Sequence, residues 1–108
     1  MPVSILYTTH PDEETAKRIG QALVEERLAA CYNVHPMQSG YHWEGALLNE
    51  DEWVAILKTR PALVRAATDR ILELHPYEIP AVLHWEVQAN AAYEAWIIAE
   101  TNNDLSEE

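Results

Sequence analysis

Residues 52–61 read EWVAILKTRP, and this stretch decides the fold. Its apolar and β-branched residues run to Lys58-Thr59, which predicts a β-strand, and the proline that follows suits the first turn of a helix. Residues 3–11, VSILYTTHP, have the same organisation, so that Thr9-His10-Pro11 corresponds to Thr59-Arg60-Pro61. The chain is therefore predicted to contain two β-α-β units.

The segments after the two helices complete the arrangement. The strand after the first helix begins near Cys31, the strand after the second begins near Ala81, and Glu44-Gly45 predicts the turn of a hairpin between the units. This order is the ferredoxin-like βαββαβ arrangement, an α+β fold whose four-stranded antiparallel sheet carries both helices on one face. Strands are predicted at 3–9, 30–43, 52–59 and 81–87, and an extra C-terminal helix at 90–100.

Both faces of the predicted sheet are apolar. Trp53, Ala55 and Leu57 point to one face of their strand, while Val54 and Ile56 point to the other. A sheet covered on one face only normally alternates apolar and polar residues. We therefore expect another copy of the chain to cover the second face. The alternative is that the C-terminal helix folds back over it.

The composition indicates a globular domain with cationic partners. Seven basic and 18 acidic residues among 108 give a formal net charge of −11. This charge repels phosphate backbones and anionic lipid, so neither nucleic acid nor a membrane is an expected partner. We predict a single domain over 1–100 and a frayed acidic tail over 101–108. Because no transmembrane or signal-peptide pattern is found, a cytoplasmic location is predicted.

Two copies of the tripeptide His-Trp-Glu are weak candidates for metal ligation. Residues i and i+2 of a strand share a face, so His42 with Glu44, and His84 with Glu86, could each supply two ligands of a metal site. Two ligands are too few alone, and an oligomer interface would have to supply more. The alternative is a pair of solvated polar residues on either side of a packed tryptophan.

Three further residues have a chemical and a structural interpretation. His75, before Pro76, could ligate a borderline cation or cap the preceding helix. Lys58 could bind an anion, or place its ammonium group in water at the end of a strand. Cys31 could be a thiolate ligand, although a small buried side chain is the commoner role of such a cysteine.

No catalytic constellation is found in the sequence. Glycine-rich phosphate loops, nucleophile elbows and paired-histidine zinc motifs are absent. An acylphosphatase-type hydrolase on this fold would need an arginine after the first strand, and residues 8–14 contain none. The chain is therefore predicted not to be an enzyme, and no residue is predicted to be catalytic.

Several segments in order resemble the CutA divalent-cation-tolerance family over roughly residues 3–100. They are THPDE at 9–13, ERLAACYN at 26–33, WEG at 43–45, ILKT at 56–59, LHPYEIP at 74–80 and YEAW at 93–96. The resemblance implies a tight homotrimer of ferredoxin-like subunits that is linked to divalent metal tolerance. It also implies copper or another divalent cation as the bound metal, since copper binding is attributed to some members.

The resemblance also implies site residues. In some members a cysteine late in the first strand and two consecutive histidines before the H-P-Y proline are the proposed copper ligands. The matching positions here are Thr8 and Leu74-His75, so His75 is the retained metal candidate. Positions that match the motifs around a cleft between subunits are Trp43, Lys58 and Tyr77.

An alternative function follows from the similar trimer architecture of PII-type signalling proteins. The chain would then sense a small molecule or anion in a cleft between subunits, and Lys58 and arginines would receive the ligand. Such a sensor needs a mobile loop, for which residues 35–50 are the candidate.

Overall fold

The described part of the chain, residues 2–102 of a computed structural model, folds into two β-α-β units followed by a helix. Each helix follows its strand directly, as the repeated threonine and proline positions predict. A short 3-10 turn, Pro61–Leu63, precedes the second helix. The elements are β1 (Val3–His10), α1 (Glu13–Glu25), β2 (Cys31–Trp43), β3 (Ala46–Thr59), α2 (Val64–Leu74), β4 (Val82–Val87) and α3 (Ala91–Glu100).

The strands of residues 2–102 form one four-stranded antiparallel sheet in the order β2-β3-β1-β4. In its centre Leu6 of β1 opposes Leu57 of β3, and both side chains are fully buried. They point to the face covered by α1 and α2, where they pack with Ile19, Leu23 and Ile71. The predicted ferredoxin-like α+β fold is confirmed.

The β2–β3 hairpin is longer than the sequence predicts. β3 begins at Ala46 rather than at residue 52, because residues 46–51 pair with residues 38–43. Glu44 and Gly45 form the predicted turn with φ values of 50° and 82°, as in the two-residue turns that match the twist of a hairpin. Residues 35–50, predicted as a mobile loop, are therefore the outer part of a paired hairpin.

The ends of α1 are defined by local hydrogen bonds. Asp12 Oδ1 accepts a 2.8 Å bond from the backbone N–H of Thr15, which satisfies one of the unpaired donors of the first turn. The helix ends at Glu25, and Arg27 turns the chain with a φ of 62°. Leu28 lies beyond this turn and still packs into the core.

The sheet face opposite α1 and α2, called here the open face, is covered at one end only. There α3 places Ile97 against Val3. Further along the face, Leu83 and Trp85 of β4 remain 57% and 45% exposed. The prediction of a second apolar face is confirmed, and the alternative of a C-terminal helix folding back is correct for one end of it.

The packed part of the chain continues past the predicted domain end at residue 100. The Thr101 hydroxyl is buried, accepts a 2.9 Å hydrogen bond from Arg60 Nε and donates one to the Ile97 carbonyl. The Asn102 N–H donates to the Arg27 carbonyl. The rest of the predicted frayed tail, 103–108, lies outside the described residues. No helix in residues 2–102 combines the length and apolar character that crossing a membrane requires.

Candidate functional site

A cleft of about 400 Å³ lies on the open face, beside the outer part of the β2–β3 hairpin. Its walls come from β2, β3 and the segment after α2. We call it the aromatic–acidic cleft, after Tyr41, Trp43, Tyr77, Glu50, Glu52 and Glu78. Among the described residues that line it there is no lysine or arginine, so its charged groups favour cations.

Glu52 is the buried carboxylate of the cleft, whereas Glu50 and Glu78 are exposed. It is 6% exposed, and its Oε2 accepts a 2.6 Å hydrogen bond from Tyr77 Oη. Burial and this bond to the carboxylate both raise the pKa of Tyr77. The phenol therefore keeps its proton and links the segment after α2 to β3.

His75 holds the same segment against β1. Its Nε2–H donates a 2.7 Å hydrogen bond to the Thr9 carbonyl, and its Nδ1 accepts a 3.2 Å bond from the Tyr77 backbone N–H. We assign the proton to Nε2 because a carbonyl can only accept. His75 is buried, and its burial lowers the pKa of the imidazole. Both ring nitrogens are thus used in fixing Tyr77 in the cleft wall.

His10, on the helix-covered face of β1, stacks on His75. The ring centroids lie 5.0 Å apart with an interplanar angle of 17°. The Nδ1–H of His10 donates a 2.9 Å bond to the Trp53 carbonyl, which leaves Nε2 unprotonated in the neutral ring. Within residues 2–102 this Nε2 and the nearby Thr8 Oγ1 have no hydrogen-bond partner. Burial lowers the pKa of His10 as well, so both rings are neutral at pH 7.

Comparison with known proteins decides the family. The model of a family described as CutA1 divalent ion tolerance protein matches residues 4–100. The chain belongs to the CutA1 divalent ion tolerance family. The divalent-cation tolerance protein CutA of Pyrococcus horikoshii is 44% identical over 98 residues, which cover 90% of this chain and 96% of that protein. The family is described by ion tolerance rather than by a catalysed reaction, in agreement with the prediction that the chain is not an enzyme.

CutA crystal structures have the same fold. CutA1 from Pyrococcus horikoshii superposes with a TM-score of 0.90 at 42% identity, covering 93% of this chain and 99% of that one. The periplasmic divalent cation tolerance protein CutA of Archaeoglobus fulgidus gives 0.85 at 30% identity, covering 98% and 99%. The family resemblance read from the motifs is therefore confirmed.

The copper-ligand positions implied by the CutA resemblance do not form a ready copper site in this chain. Thr8 offers a hydroxyl and Leu74 an alkyl group, and neither is a soft ligand. His75 is held by hydrogen bonds at both nitrogens, so a metal ion would have to displace one of them. Thr8, Leu74 and His75 therefore do not offer the ligands that a copper ion needs while His75 keeps its two hydrogen bonds.

The two His-Trp-Glu pairs differ in geometry. Glu44 lies in the hairpin turn, so it does not continue the strand face of His42. His84 and Glu86 occupy i and i+2 of β4, on the edge of the sheet, and both are exposed. No group of three or more histidine, cysteine, aspartate or glutamate residues within residues 2–102 is arranged to hold a metal ion.

Of the three residues assigned to the CutA cleft, two lie together within one chain. Trp43 and Tyr77 both line the aromatic–acidic cleft. Lys58 lies toward the opposite end of β3, where its Nζ donates a 2.6 Å hydrogen bond to Asn33 Oδ1. Cys31 opposes Lys58 in the sheet, and its Sγ lies 3.4 Å from Tyr93 Oη of α3. This end of the open face is therefore separate from the cleft.

Sequence reasoning missed the carboxylates and His10. Glu50 and Glu52 are two residues apart on β3 and share a face, a signal that was lost because the strand was predicted to begin at residue 52. His10 shares the helix-covered face of β1 with Leu6 and Thr8, so strand alternation indicates its burial. The segment after α2 carried no periodic signal that could place Glu78.

Proposed function

We propose that this CutA chain acts in divalent cation tolerance as a homotrimer whose subunits cover one another's open faces. The observation that carries the trimer is the exposure of Leu83 and Trp85 on a sheet whose other face packs Leu6 and Leu57 against the two helices. Exposed apolar surface of this kind is stabilised by burial against another protein surface. A symmetric assembly of identical chains supplies such a surface.

Direct binding of divalent cations, copper among them, is the second part of the proposal. The net charge of −11 per chain attracts cations to each subunit and more strongly to a trimer. His84 and Glu86 are exposed on the helix-covered side of the edge strand β4, and a neighbouring subunit that reaches this edge would supply the remaining ligands. His75 stays the candidate implied by the family, and binding there would break its hydrogen bond with Thr9 or Tyr77.

The oligomer is tested by native mass spectrometry and by light scattering after size exclusion. Three chains of 12.3 kDa give 3 × 12.3, about 37 kDa. A mass that stays near 12.3 kDa at micromolar concentration contradicts the trimer. The proposed cytoplasmic location needs cell fractionation, because the similar protein of Archaeoglobus fulgidus is described as periplasmic.

Metal binding is tested by calorimetric titration of the full chain with Cu²⁺, Zn²⁺ and Mg²⁺. Saturable heat that is lost in His84→Ala and in Glu86→Gln supports ligation at β4. His35→Ala is the matched control, since His35 is also an exposed histidine on an edge strand. The absence of saturable binding of all three ions contradicts direct binding, and tolerance would then be indirect.

The structure favours the PII-like alternative only in part. A cleft of about 400 Å³ that contains Trp43 and Tyr77 suits a small ligand. Its carboxylates oppose an anion, Lys58 lies at the other end of β3, and the predicted mobile loop is a paired hairpin. The PII-like alternative with an anionic ligand is tested by measuring the Tm with added nucleotides. A rise in Tm that saturates with nucleotide concentration supports it.

A further inference from the structure

We propose that the aromatic–acidic cleft binds a small organic cation, an alkylammonium or quaternary ammonium group, with Glu52 as its counter-ion and aromatic rings as its walls. The inference concerns a ligand class different from a metal ion or an anion. It uses none of the candidate metal ligands, so it holds or fails independently of the metal binding proposed above, and it rests on the proposed trimer leaving this end of the open face accessible to a ligand.

The first argument is the environment of Glu52. The residue is 6% exposed, yet within residues 2–102 its carboxylate forms no ion pair with lysine or arginine. The one hydrogen bond that the structure shows for it comes from Tyr77, a neutral donor, to Oε2. A buried carboxylate without a cation is costly, and a cation placed in the cleft would remove that cost.

The second argument is the aromatic wall. Tyr41 and Trp43 are 37% and 36% exposed, although both line a concave surface. The faces of Trp and Tyr rings attract cations within about 6 Å of the ring centroid, and this attraction adds to that of a nearby carboxylate. Rings and carboxylates around one cavity are therefore complementary to an ammonium group that carries alkyl substituents.

The third argument separates an organic cation from a divalent metal ion. A divalent ion needs several oxygen, nitrogen or sulfur ligands around one point, and no suitable group of three occurs among the described residues. Indole and aliphatic side chains, such as Trp43, Leu48 and Ile79, offer such an ion no ligand. They do offer contact to methyl and methylene groups, and the cleft volume of about 400 Å³ is typical of small-molecule sites.

Choline is the probe that tests the proposal, because 3,3-dimethylbutan-1-ol has its shape without its charge. Calorimetry and tryptophan fluorescence are measured on the full chain in its solution assembly. We expect saturable choline binding and roughly tenfold weaker binding of the neutral alcohol. Added salt should weaken binding only modestly, since it screens the exposed Glu50 and Glu78 more than the buried Glu52. Equal affinity for the two compounds, or no saturable binding of choline, overturns the proposal.

Variants locate the site. Glu52→Gln should weaken choline binding by roughly tenfold, because it removes the charge and keeps an acceptor for Tyr77. Glu14→Gln makes the same charge change on an exposed residue of α1 and should leave the affinity unchanged. Trp43→Leu, at a partly exposed position, should weaken binding and serves if Glu52→Gln does not fold. Unchanged affinity in Glu52→Gln or in Trp43→Leu contradicts the site.

A structure of the assembly gives a separate outcome. If a lysine or arginine of a neighbouring copy fills the cleft and pairs with Glu52, the counter-ion is part of the protein and the proposal is wrong. If the cleft is open to solvent and choline lies against Trp43, the proposal is supported. Neither result bears on the metal titration, which is interpreted through His84 and Glu86.

Discussion

The Tyr77 hydroxyl donates a 2.6 Å hydrogen bond to the buried carboxylate of Glu52 and thereby joins the segment after α2 to β3. On the other side of the same segment, His75 is bonded to the Thr9 carbonyl of β1. Two hydrogen bonds thus hold the segment against one end of the sheet, one to β3 and one to β1. The shape of the aromatic–acidic cleft depends on both.

Tyr77→Phe tests the first of these two points. Removing the phenol hydroxyl leaves Glu52 without the one hydrogen bond that the described structure shows for it, and a buried carboxylate without a donor is destabilising. We expect a loss of about 1–3 kcal/mol in the free energy of unfolding, measured by urea denaturation. Tyr41→Phe is the matched control, because Tyr41 is an exposed tyrosine of the same cleft and the loss of its hydroxyl should cost less. An equal loss of unfolding free energy in the two variants would show that the burial of Glu52 does not determine the cost.

The stacked pair His10 and His75 predicts a pH dependence of stability. Burial lowers the pKa of both rings in the folded chain below the ordinary value of 6.5. As the pH falls through 6.5 the unfolded chain binds protons that the folded chain does not, so acid favours unfolding. The contribution is complete above about pH 7 and is lost progressively below 6.5.

This dependence is measured as the urea midpoint at pH 7.5, 6.5 and 5.5, at one protein concentration. His10→Asn should flatten the decrease between pH 7.5 and 5.5, even if it lowers stability throughout. His42→Asn removes an exposed histidine and should leave the slope unchanged. Identical slopes in wild type and His10→Asn would show that the buried pair does not carry the effect.

The sequence predicted the elements whose signals are local. Thr9-His10-Pro11 and Thr59-Arg60-Pro61 each mark a strand that ends in a helix start, and the two β-α-β units follow from them. The apolar residues on both sides of β3 likewise indicated a second apolar face, which is the open face of the sheet. Such patterns are read from neighbours along the chain and need no tertiary information.

The outer hairpin and the cleft could not be predicted in the same way. Residues 46–51, ALLNED, have weak strand propensity and become a strand because they pair with residues 38–43. The cleft then depends on the turn at Glu44-Gly45, on the register that aligns Glu52 with Met37, and on the segment that brings in Tyr77. Neither the pairing of the outer hairpin nor the contact between Glu52 and Tyr77 leaves a periodic mark in the sequence.

Gly20 of α1 should not tolerate a larger side chain, because the helix lies close against β2 there. A Cβ at this position would lie 2.6 Å from Cγ of the Tyr32 ring. Gly20→Ala gains about 1 kcal/mol of helix propensity, whereas forced overpacking costs about 1–3 kcal/mol, so we expect a net loss of stability. The measurement is the urea midpoint, with Gln21→Ala on the exposed side of α1 as control.

A double variant separates the contact from other effects of the substitution. In a Tyr32→Ala background the Cγ and ring atoms nearest to Gly20 are gone, so Gly20→Ala should cost less than in the wild type. The same cost in both backgrounds would mean that the ring contact is not the cause.

Trp85 and Leu72 provide a matched test of the open face. Both are 45% exposed, but Trp85 lies on the open face of β4, whereas Leu72 lies on α2 at the opposite side of the sheet. If the open face is the interface between subunits, Trp85→Glu places an unpaired charge in it and should shift the light-scattering mass toward 12.3 kDa. Leu72→Glu should leave the mass unchanged and fold normally, since its side chain stays in solvent. A trimer mass in both variants, or dissociation in both, would contradict an interface on the open face around Trp85.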